Sequence, residues 1–317
     1  MKYTSIVFTI TLALLLVSAT ATGFYLYNAL SDAEEKSYSA LAEKLLLDLN
    51  GEEQLIENIG VTNAIFIADN NRIKEALATN DRDAAIRELR VIFDKFRKST
   101  RVKDLKVHIH TADMRSFVRS WKHSKFGDDL SGFRKTIVKV KQTRQPVFDF
   151  EVGRMGLTLR SIVPVMQGDD YLGSLEFIQS FDNVPKNFEK KGNDHLLLMN
   201  DSLIYIAADL KNAPKVDHYR LCSKNYNDAF LKAAQALDLD RLEEKGHLFN
   251  GRYFYTYKVI KDMSNNRVGM HLLGMSAQQA VAATEKSKSA TMTMVIIAVS
   301  SFVLVLLFLL LLLKGRK

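Results

Sequence analysis

Residues 105–121, LKVHIHTADMRSFVRSW, carry the strand pattern that decides the fold. Apolar residues at 105, 107 and 109 alternate with polar residues at 106, 108 and 110, which is the two-residue period of a half-buried strand. A turn at 111–114 follows, and Phe117, Arg119 and Trp121 then share one face of a second strand. The stretch therefore predicts the beginning of a sheet.

The chain continues this pattern as far as Phe181. An amphipathic helix is predicted over 130–140, a glycine-marked loop over 151–156, and two more strands over 157–165 and 171–181. We expect a curved sheet with the helix laid over it and with several arginines pointing between the two. This arrangement predicts a pocket for a small molecule.

The composition limits the possible functions. The chain has 317 residues, a formal net charge of +8 and one cysteine, Cys222. Four of the positive charges, Lys2, Lys314, Arg316 and Lys317, lie outside the apolar ends, so the excess in the central domain is too small to indicate nucleic-acid binding. A single cysteine excludes an intrachain disulfide, and Cys222 is predicted to be a small core residue.

Both ends of the chain are strongly apolar. We predict a first transmembrane helix in residues 1–29, and a second with a short basic tail in 290–317. The small residues Ala19 and Ala21 leave a cleavable signal peptide as the alternative for the first segment. Basic residues at both ends favour cytoplasmic termini, with residues 30–288 outside the cytoplasm.

The region between the anchors is predicted to be α+β. Residues 30–104 show helical spacing, with Ser31 and Glu34 as a capping box and glycines at 51 and 60 as possible bends. The order strand-strand-helix-strand-strand then occurs twice, with a hairpin predicted around Asn200-Asp201 in the second copy. We therefore predict a membrane-distal module at 105–190 and a membrane-proximal module at 191–289.

Several motifs in the first module resemble a known family. They are His108-Ile109-His110-Thr111, RSFVRSW at 115–121, FGDDL at 126–130, EVGRMGL at 151–157 and LGSLEF at 172–177. Together with an anchor, a long helix, two tandem PAS-like modules and a second anchor, they resemble double Cache sensor domains of bacterial chemoreceptors, sensor kinases and cyclic-dinucleotide enzymes. The resemblance implies ligand binding outside the cell, usually in the membrane-distal module, and signalling across the membrane. It also implies a bacterial inner-membrane location, with residues 30–288 in the periplasm or extracellular space.

Charged and aromatic side chains of this module are the candidate ligand contacts. Planar guanidinium groups beside an aromatic wall suit a carboxylate-bearing ligand, whereas the acids suit a ligand amine. The alternative is that the arginines pair with nearby acids and only brace the module. The candidate ligand-binding residues are Arg119, Trp121, Arg134, Glu151, Arg160 and Glu176.

The sequence predicts neither a metal site nor a cofactor. His108 and His110 share a strand face, but no third donor with matching spacing stands near them. The glycines at 153 and 156 lack the context of a phosphate-binding loop, and no catalytic constellation indicates an enzyme.

Two functions from different classes remain open. The first is a membrane-anchored sensor of a small, carboxylate-bearing ligand, and the second is an accessory ectodomain that binds a protein partner. Only Lys314-Gly315-Arg316-Lys317 follow the second apolar segment. We therefore expect a homodimer or a separate membrane signalling partner to carry the output.

Overall fold

The computed structural model describes residues 2–99, 105–179 and 181–314, and within them the chain is a mixed α+β protein. A long N-terminal helix precedes two antiparallel sheets, and another long helix follows them. The chain divides into two compact units. One consists of Leu45–Leu248 and Tyr255–Gly274, and the other of the remaining chain.

The first helix, α1, is continuous over Lys2–Ala68. The capping-box prediction at Ser31 is therefore wrong, because no helix begins there. Gly51 and Gly60 both lie inside α1, and only Gly60 is buried. A Cβ atom added at Gly60 would lie 2.0 Å from Gln179 Oε1 and 2.2 Å from Ser161 Oγ, so this glycine lets α1 pack closely against the first sheet.

The first sheet has five strands in the order β2-β1-β5-β4-β3. Its strands are β1 Lys106–Thr111, β2 Ser116–Arg119, β3 Val147–Gly153, β4 Gly156–Gln167 and β5 Asp170–Gln179. The associated helices are α2 Asn71–Ala78, α3 Arg82–Ser99 and α4 Lys135–Thr143.

Three details of this region differ from the sequence prediction. β3 pairs with β4 along its whole length, so Glu151 and Gly153 belong to a strand and only Arg154-Met155 turn the chain. Helix α4 begins at Lys135, after Arg134 at its N-cap, and not at residue 130. Strand β2 ends at Arg119, so Trp121 lies beyond it.

The two faces of the first sheet have different surroundings. One face packs Val107, Ile109 and Leu175 against residues of α1, α2 and α3, including Ile67 and Ile73, in an apolar core. The opposite face turns the alternate residues of the same strands, among them histidines and charged groups, toward the side of α4. Strand periodicity thus separates an apolar face from a buried polar one.

The second sheet has six strands in the order β7-β8-β6-β11-β10-β9. Its strands are β6 Asp194–Asn200, β7 Lys215–Val216, β8 Tyr219–Leu221, β9 His247–Phe249, β10 Tyr253–Lys261 and β11 Arg267–Ser276. The helices that accompany them are α5 Val184–Lys190, α6 Asp228–Ala234 and α7 Leu239–Lys245.

The predicted hairpin around Asn200-Asp201 is wrong. The Asn200 side chain accepts a hydrogen bond from the Ser202 backbone N–H at 3.0 Å and caps a short 3-10 helix, Asp201–Leu203. Strand β6 pairs with β8 and β11 instead, which come later in the chain. The sequence also predicts one helix over 225–239, but α6 ends at Ala234 and α7 begins only at Leu239.

The other compact unit contains the N-terminal part of α1 and the C-terminal helix α8, Ala277–Lys314. Within it, the ring of Tyr38 stacks on Phe249 and Phe254 with centroids 5.2 and 5.6 Å apart. No single helix of the described chain has the length and apolarity of a membrane span, but Ala277–Glu285 and Ser289–Val305, bent by 44°, meet both criteria as a pair. The predicted tail beyond Lys314 lies outside the described residues.

Candidate functional site

Strand register brings the site residues together on the polar face of the first sheet. β1 and β5 run antiparallel, with His108 opposite Glu176 and His110 opposite Ser174. β4 lies on the other side of β5 and contributes Arg160 to the cluster. Arg134, at the start of α4, reaches the carboxylate of Glu176 from above the sheet. Side chains of β1, of β4 and of the start of α4 therefore converge on Glu176 of β5.

Glu176 is fully buried and lies at the centre of an ion-pair cluster. Its Oε1 atom accepts from Arg134 Nη2 at 2.9 Å and from Arg160 Nη1. The same two arginines pair through Nε with Glu151 Oε2, at 2.5 Å from Arg134 and 3.3 Å from Arg160. Two guanidinium groups and two carboxylates thus balance in charge. Burial alone would raise the pKa of Glu176, but Arg134 and Arg160 outweigh it and hold that pKa well below its ordinary value.

The other oxygen of Glu176 faces two histidines. Oε2 lies 3.4 Å from His108 Nδ1 and 3.5 Å from His110 Nε2. Burial, together with the neighbouring His110, lowers the pKa of His108 well below its ordinary value, and burial lowers the pKa of His110 to about 4. Both rings are therefore neutral at pH 7, and the net charge of the cluster remains zero.

Arg119 forms a separate pair at the edge of the site. Its two terminal nitrogens bond Asp128 at 2.7 and 2.6 Å, and Nη1 also donates to the Lys125 carbonyl at 2.9 Å. The hydrogen bonds from Arg119 lower the pKa of Asp128 to about 2. Trp121 is 44% exposed and meets the ring of His108 edge-on at 5.8 Å.

A cavity of about 610 Å³ opens beside these groups. Its wall includes the exposed rings of Trp121 and Phe133 and the side chains of Arg119, Arg134 and Arg160. Seven basic and two acidic side chains line it, so the cavity attracts anions. Its volume lies in the range typical of small-ligand pockets.

The structure divides the six predicted ligand residues into two groups. Arg119, Trp121, Arg134 and Arg160 line the cavity, whereas Glu151 and Glu176 pair with the latter two arginines. The pairs between arginines and acids, which the sequence analysis left open as an alternative to ligand binding, are therefore present. The ligand role of all six residues remains a prediction.

Sequence reasoning missed the groups that hold the histidines. His108 Nε2 bonds Ser116 Oγ at 2.8 Å, and His110 Nδ1 bonds Ser174 Oγ at 2.9 Å. Glu176 was predicted as a ligand contact or as a partner of the arginines, but not as a partner of the histidines. The one available signal was that alternate residues of β1 and β5 are polar, but the pairing of these strands is not visible in the sequence.

Comparison with protein families identifies this architecture. Residues 38–281 match the model of a family described as a double sensory domain of two-component sensor kinases. The chain belongs to this double Cache family. The match covers more than three quarters of the 317 residues and includes both sheets. A comparison with proteins of curated function finds no match.

The double Cache chain is also similar to solved sensor domains. The sensor domain of the V. cholerae histidine kinase DctB is 10% identical, with a TM-score of 0.44 over 75% of this chain and 98% of that one. The ligand-binding domain of the Pseudomonas fluorescens chemoreceptor CtaA, solved with L-serine, is 11% identical, with a TM-score of 0.41 over 77% and 99%. An extracellular ligand-binding receptor from Desulfohalobium retbaense is 15% identical, with a TM-score of 0.38 over 74% of this chain. The chain spans only 40% of that receptor's length.

Proposed function

We propose that this double Cache chain is an extracytoplasmic sensor that binds a small, carboxylate-bearing ligand in the 610 Å³ cavity. The excess of basic side chains around the cavity is the observation that carries the proposal. A carboxylate that enters a partly desolvated basic cavity gains charge-assisted hydrogen bonds that are stronger than neutral ones. We also propose that the chain acts by binding and not by catalysis.

The arrangement of the basic groups favours one side of the cavity for the carboxylate. Glu151 and Glu176 already hold the guanidinium groups of Arg134 and Arg160. Lys122 and Lys125 are exposed at the rim, and Arg119 shares its charge with the half-buried Asp128. A ligand carboxylate therefore binds at the Arg119 side of the cavity, with the rim lysines as further partners.

The aromatic wall accounts for the apolar part of the ligand. Trp121 is 44% exposed and Phe133 is 64% exposed. Burial of such rings by a ligand contributes roughly 25 cal/mol for each Å² removed from water. An amino acid or a short organic acid presents both the carboxylate and the apolar surface that this wall suits.

A thermal-shift screen of the purified full chain tests the proposal. We expect some amino acids or organic acids to raise the melting temperature, and their amine counterparts without a carboxylate to leave it unchanged, because only a ligand that binds the folded state stabilises it. Arg119→Ala should weaken binding by about tenfold or more, since a hydrogen bond to a charged group contributes about 1.5–3 kcal/mol.

The control is Arg267→Ala in the second sheet. Arg267 forms a bidentate pair with Glu243, much as Arg119 does with Asp128, but it lies outside the cavity. We expect this variant to lower stability without changing affinity. If Arg119→Ala also leaves affinity unchanged, Arg119 is not a ligand contact. A screen without any stabilising acid would favour the accessory ectodomain that binds a protein partner.

We further propose that both termini are cytoplasmic and that the chain signals across the membrane through a partner. The exposed apolar side chains of α8, among them Met294, Ile296 and Phe308, support a lipid or protein environment for this helix. An impermeant thiol reagent applied to intact cells should label Asn212→Cys and not Ser5→Cys. The reverse pattern would overturn the orientation.

A further inference from the structure

Three donor atoms converge inside the first sheet at a distance typical of metal ligands. His108 Nδ1, His110 Nε2 and Glu176 Oε2 all lie within 4.8 Å of one another. The three side chains are at most 3% exposed. The sequence offers only the two histidines as candidate donors, and the pairing of β1 with β5 supplies the third.

The donor atoms lack good hydrogen bonds. Arg134 and Arg160 both bond Glu176 through Oε1, whereas Oε2 is buried and has no hydrogen-bond partner in the described part of the chain. His110 Nε2 is also buried without such a partner. The distances of 3.4 and 3.5 Å between the histidine nitrogens and Oε2 exceed those of ordinary N–H···O bonds. Buried polar atoms left in this state require an explanation.

The far side of each imidazole is fixed by a serine. Ser116 Oγ lies 2.8 Å from His108 Nε2, and Ser174 Oγ lies 2.9 Å from His110 Nδ1. When these remote nitrogens donate their N–H to the serines, the nitrogens that face Glu176 present lone pairs. Metal-binding histidines are held in this way by hydrogen bonds outside the coordination sphere.

Two of the three spacings between the donors also suit a tetrahedral ion. Two ligand atoms at about 2.0–2.1 Å from a tetrahedral zinc ion lie about 3.3–3.4 Å apart. The two histidine-to-carboxylate distances of 3.4 and 3.5 Å come within about 0.2 Å of this value. Two imidazoles and one carboxylate leave the fourth position open, and His108 lines the 610 Å³ cavity, which provides a path of entry.

We propose that His108, His110 and Glu176 bind a divalent ion of the zinc class. The nitrogen donors select zinc, nickel or cobalt over magnesium and calcium, which prefer oxygen ligands. Arg134 and Arg160 withdraw charge from Glu176 and add their own repulsion, so the site binds more weakly than a structural zinc site. The site does not depend on the proposed carboxylate ligand.

Metal titration of the purified full chain, stripped with a chelator and kept free of carboxylate ligands, tests this site. We expect one zinc ion to bind per chain and magnesium to show no saturable binding. His108→Asn and His110→Gln should each weaken zinc binding by at least about tenfold. Ser174→Ala keeps all three donors, and it should weaken zinc binding by about tenfold or more because it frees the His110 ring.

The matched control is His218→Asn, which removes an exposed histidine of the second sheet region and should leave zinc affinity unchanged. No saturable zinc binding by the folded wild-type chain would overturn the proposal, as would equal binding by the His108 and His110 variants. If those variants fail to fold, the cobalt spectrum of the wild-type chain decides. An intense visible band of tetrahedral cobalt supports the site, and a weak octahedral spectrum overturns it.

Discussion

The two sheets of this double Cache chain fill their interiors with different chemistry. The second sheet region buries rings completely, with Tyr219, Phe230 and Tyr255 inaccessible to solvent and the latter two stacked at 5.6 Å. The first sheet buries ions, with Glu176 and two arginines at the centre. The cavity beside the ion cluster has about 610 Å³, against about 30 Å³ next to His195 in the second region, while a cavity of about 440 Å³ is lined by residues of both regions, among them Trp121 and Leu197.

This difference explains why we place the ligand at the first sheet. Rings adapt to one another and close the space between them, because dispersion and burial favour every added contact. A buried ion must stay beside its partners, because its desolvation is costly. An ion cluster therefore does not fill the space around it. The charged interior therefore adds little stability and leaves room for a ligand.

The largest expected effect distinguishes a buried ion cluster from an accessible ion pair. Glu176→Gln leaves Arg134 and Arg160 with one counter-charge, so we expect the free energy of unfolding to fall by about 3–5 kcal/mol. Glu243→Gln is the matched change in the second region, where Glu243 and Arg267 keep 27% and 32% of their side chains exposed. It should cost about 1 kcal/mol or less. Denaturant unfolding measures both, and equal losses would remove the contrast between the two regions.

A smaller effect tests how closely α1 packs against the first sheet. Gly60→Ala places a Cβ atom against Ser161 and Gln179, and the resulting overpacking should cost about 1–3 kcal/mol. Gly51→Ala is the control in the same helix, since no atom of the described residues lies within 4 Å of its added Cβ. It should stabilise the chain by about 0.5–1 kcal/mol through helix propensity. Thermal unfolding gives both values, and stabilisation by Gly60→Ala would show that this contact is loose.

The smallest expected effect is a pH dependence of stability, and it involves one aspartate in each of the two regions. Burial raises the pKa of Asp149 in the first sheet and of Asp194 in the second to about 6, with Asp262 and Glu151 adding to the first shift and Glu189 to the second. The Phe150 backbone and Asn227 oppose these shifts.

These shifts give a definite sign to the pH dependence. An aspartate in the unfolded chain has a pKa of about 3.9, so the folded state binds each proton more tightly. The stabilisation is complete below about pH 4 and is lost as the pH rises through about 6. Partial exposure limits it to about 1 kcal/mol or less for each group. Asp149→Asn and Asp194→Asn should each flatten the decrease in melting temperature between pH 4 and 7, and an unchanged slope would contradict the assignment.

The strands of the first sheet were predictable where apolar and polar residues alternate strictly. The pattern at 105–110 gave β1 nearly to the residue, and the strand predicted over 171–181 is β5, which ends at Gln179. β3 was missed because its glycines resemble a loop, although they form the closing pair of a hairpin, Gly153 opposite Gly156. The false hairpin at Asn200 has a related cause, since the same side chain caps a 3-10 turn as readily as it enters a hairpin.

The site was predictable in its residue types but not in its contacts. The sequence identifies Arg119, Arg134 and Arg160 as residues near a common space. It does not show that β5 lies between β1 and β4, because sheet order depends on pairing between distant segments. The sequence offered Glu176 as one of several acids that the arginines could pair with, whereas sheet order makes it the common partner of two arginines and two histidines.

The contact at Gly60 has a mechanical consequence. Arg160 faces the ion cluster, while its neighbour Ser161 faces the other side of the sheet and touches α1 at a point where the helix has no side chain. A side chain at this point could change rotamer when the strand moves and so absorb the movement. Backbone against a short side chain provides no such play, so β4 cannot move at this point without moving the part of α1 that it touches.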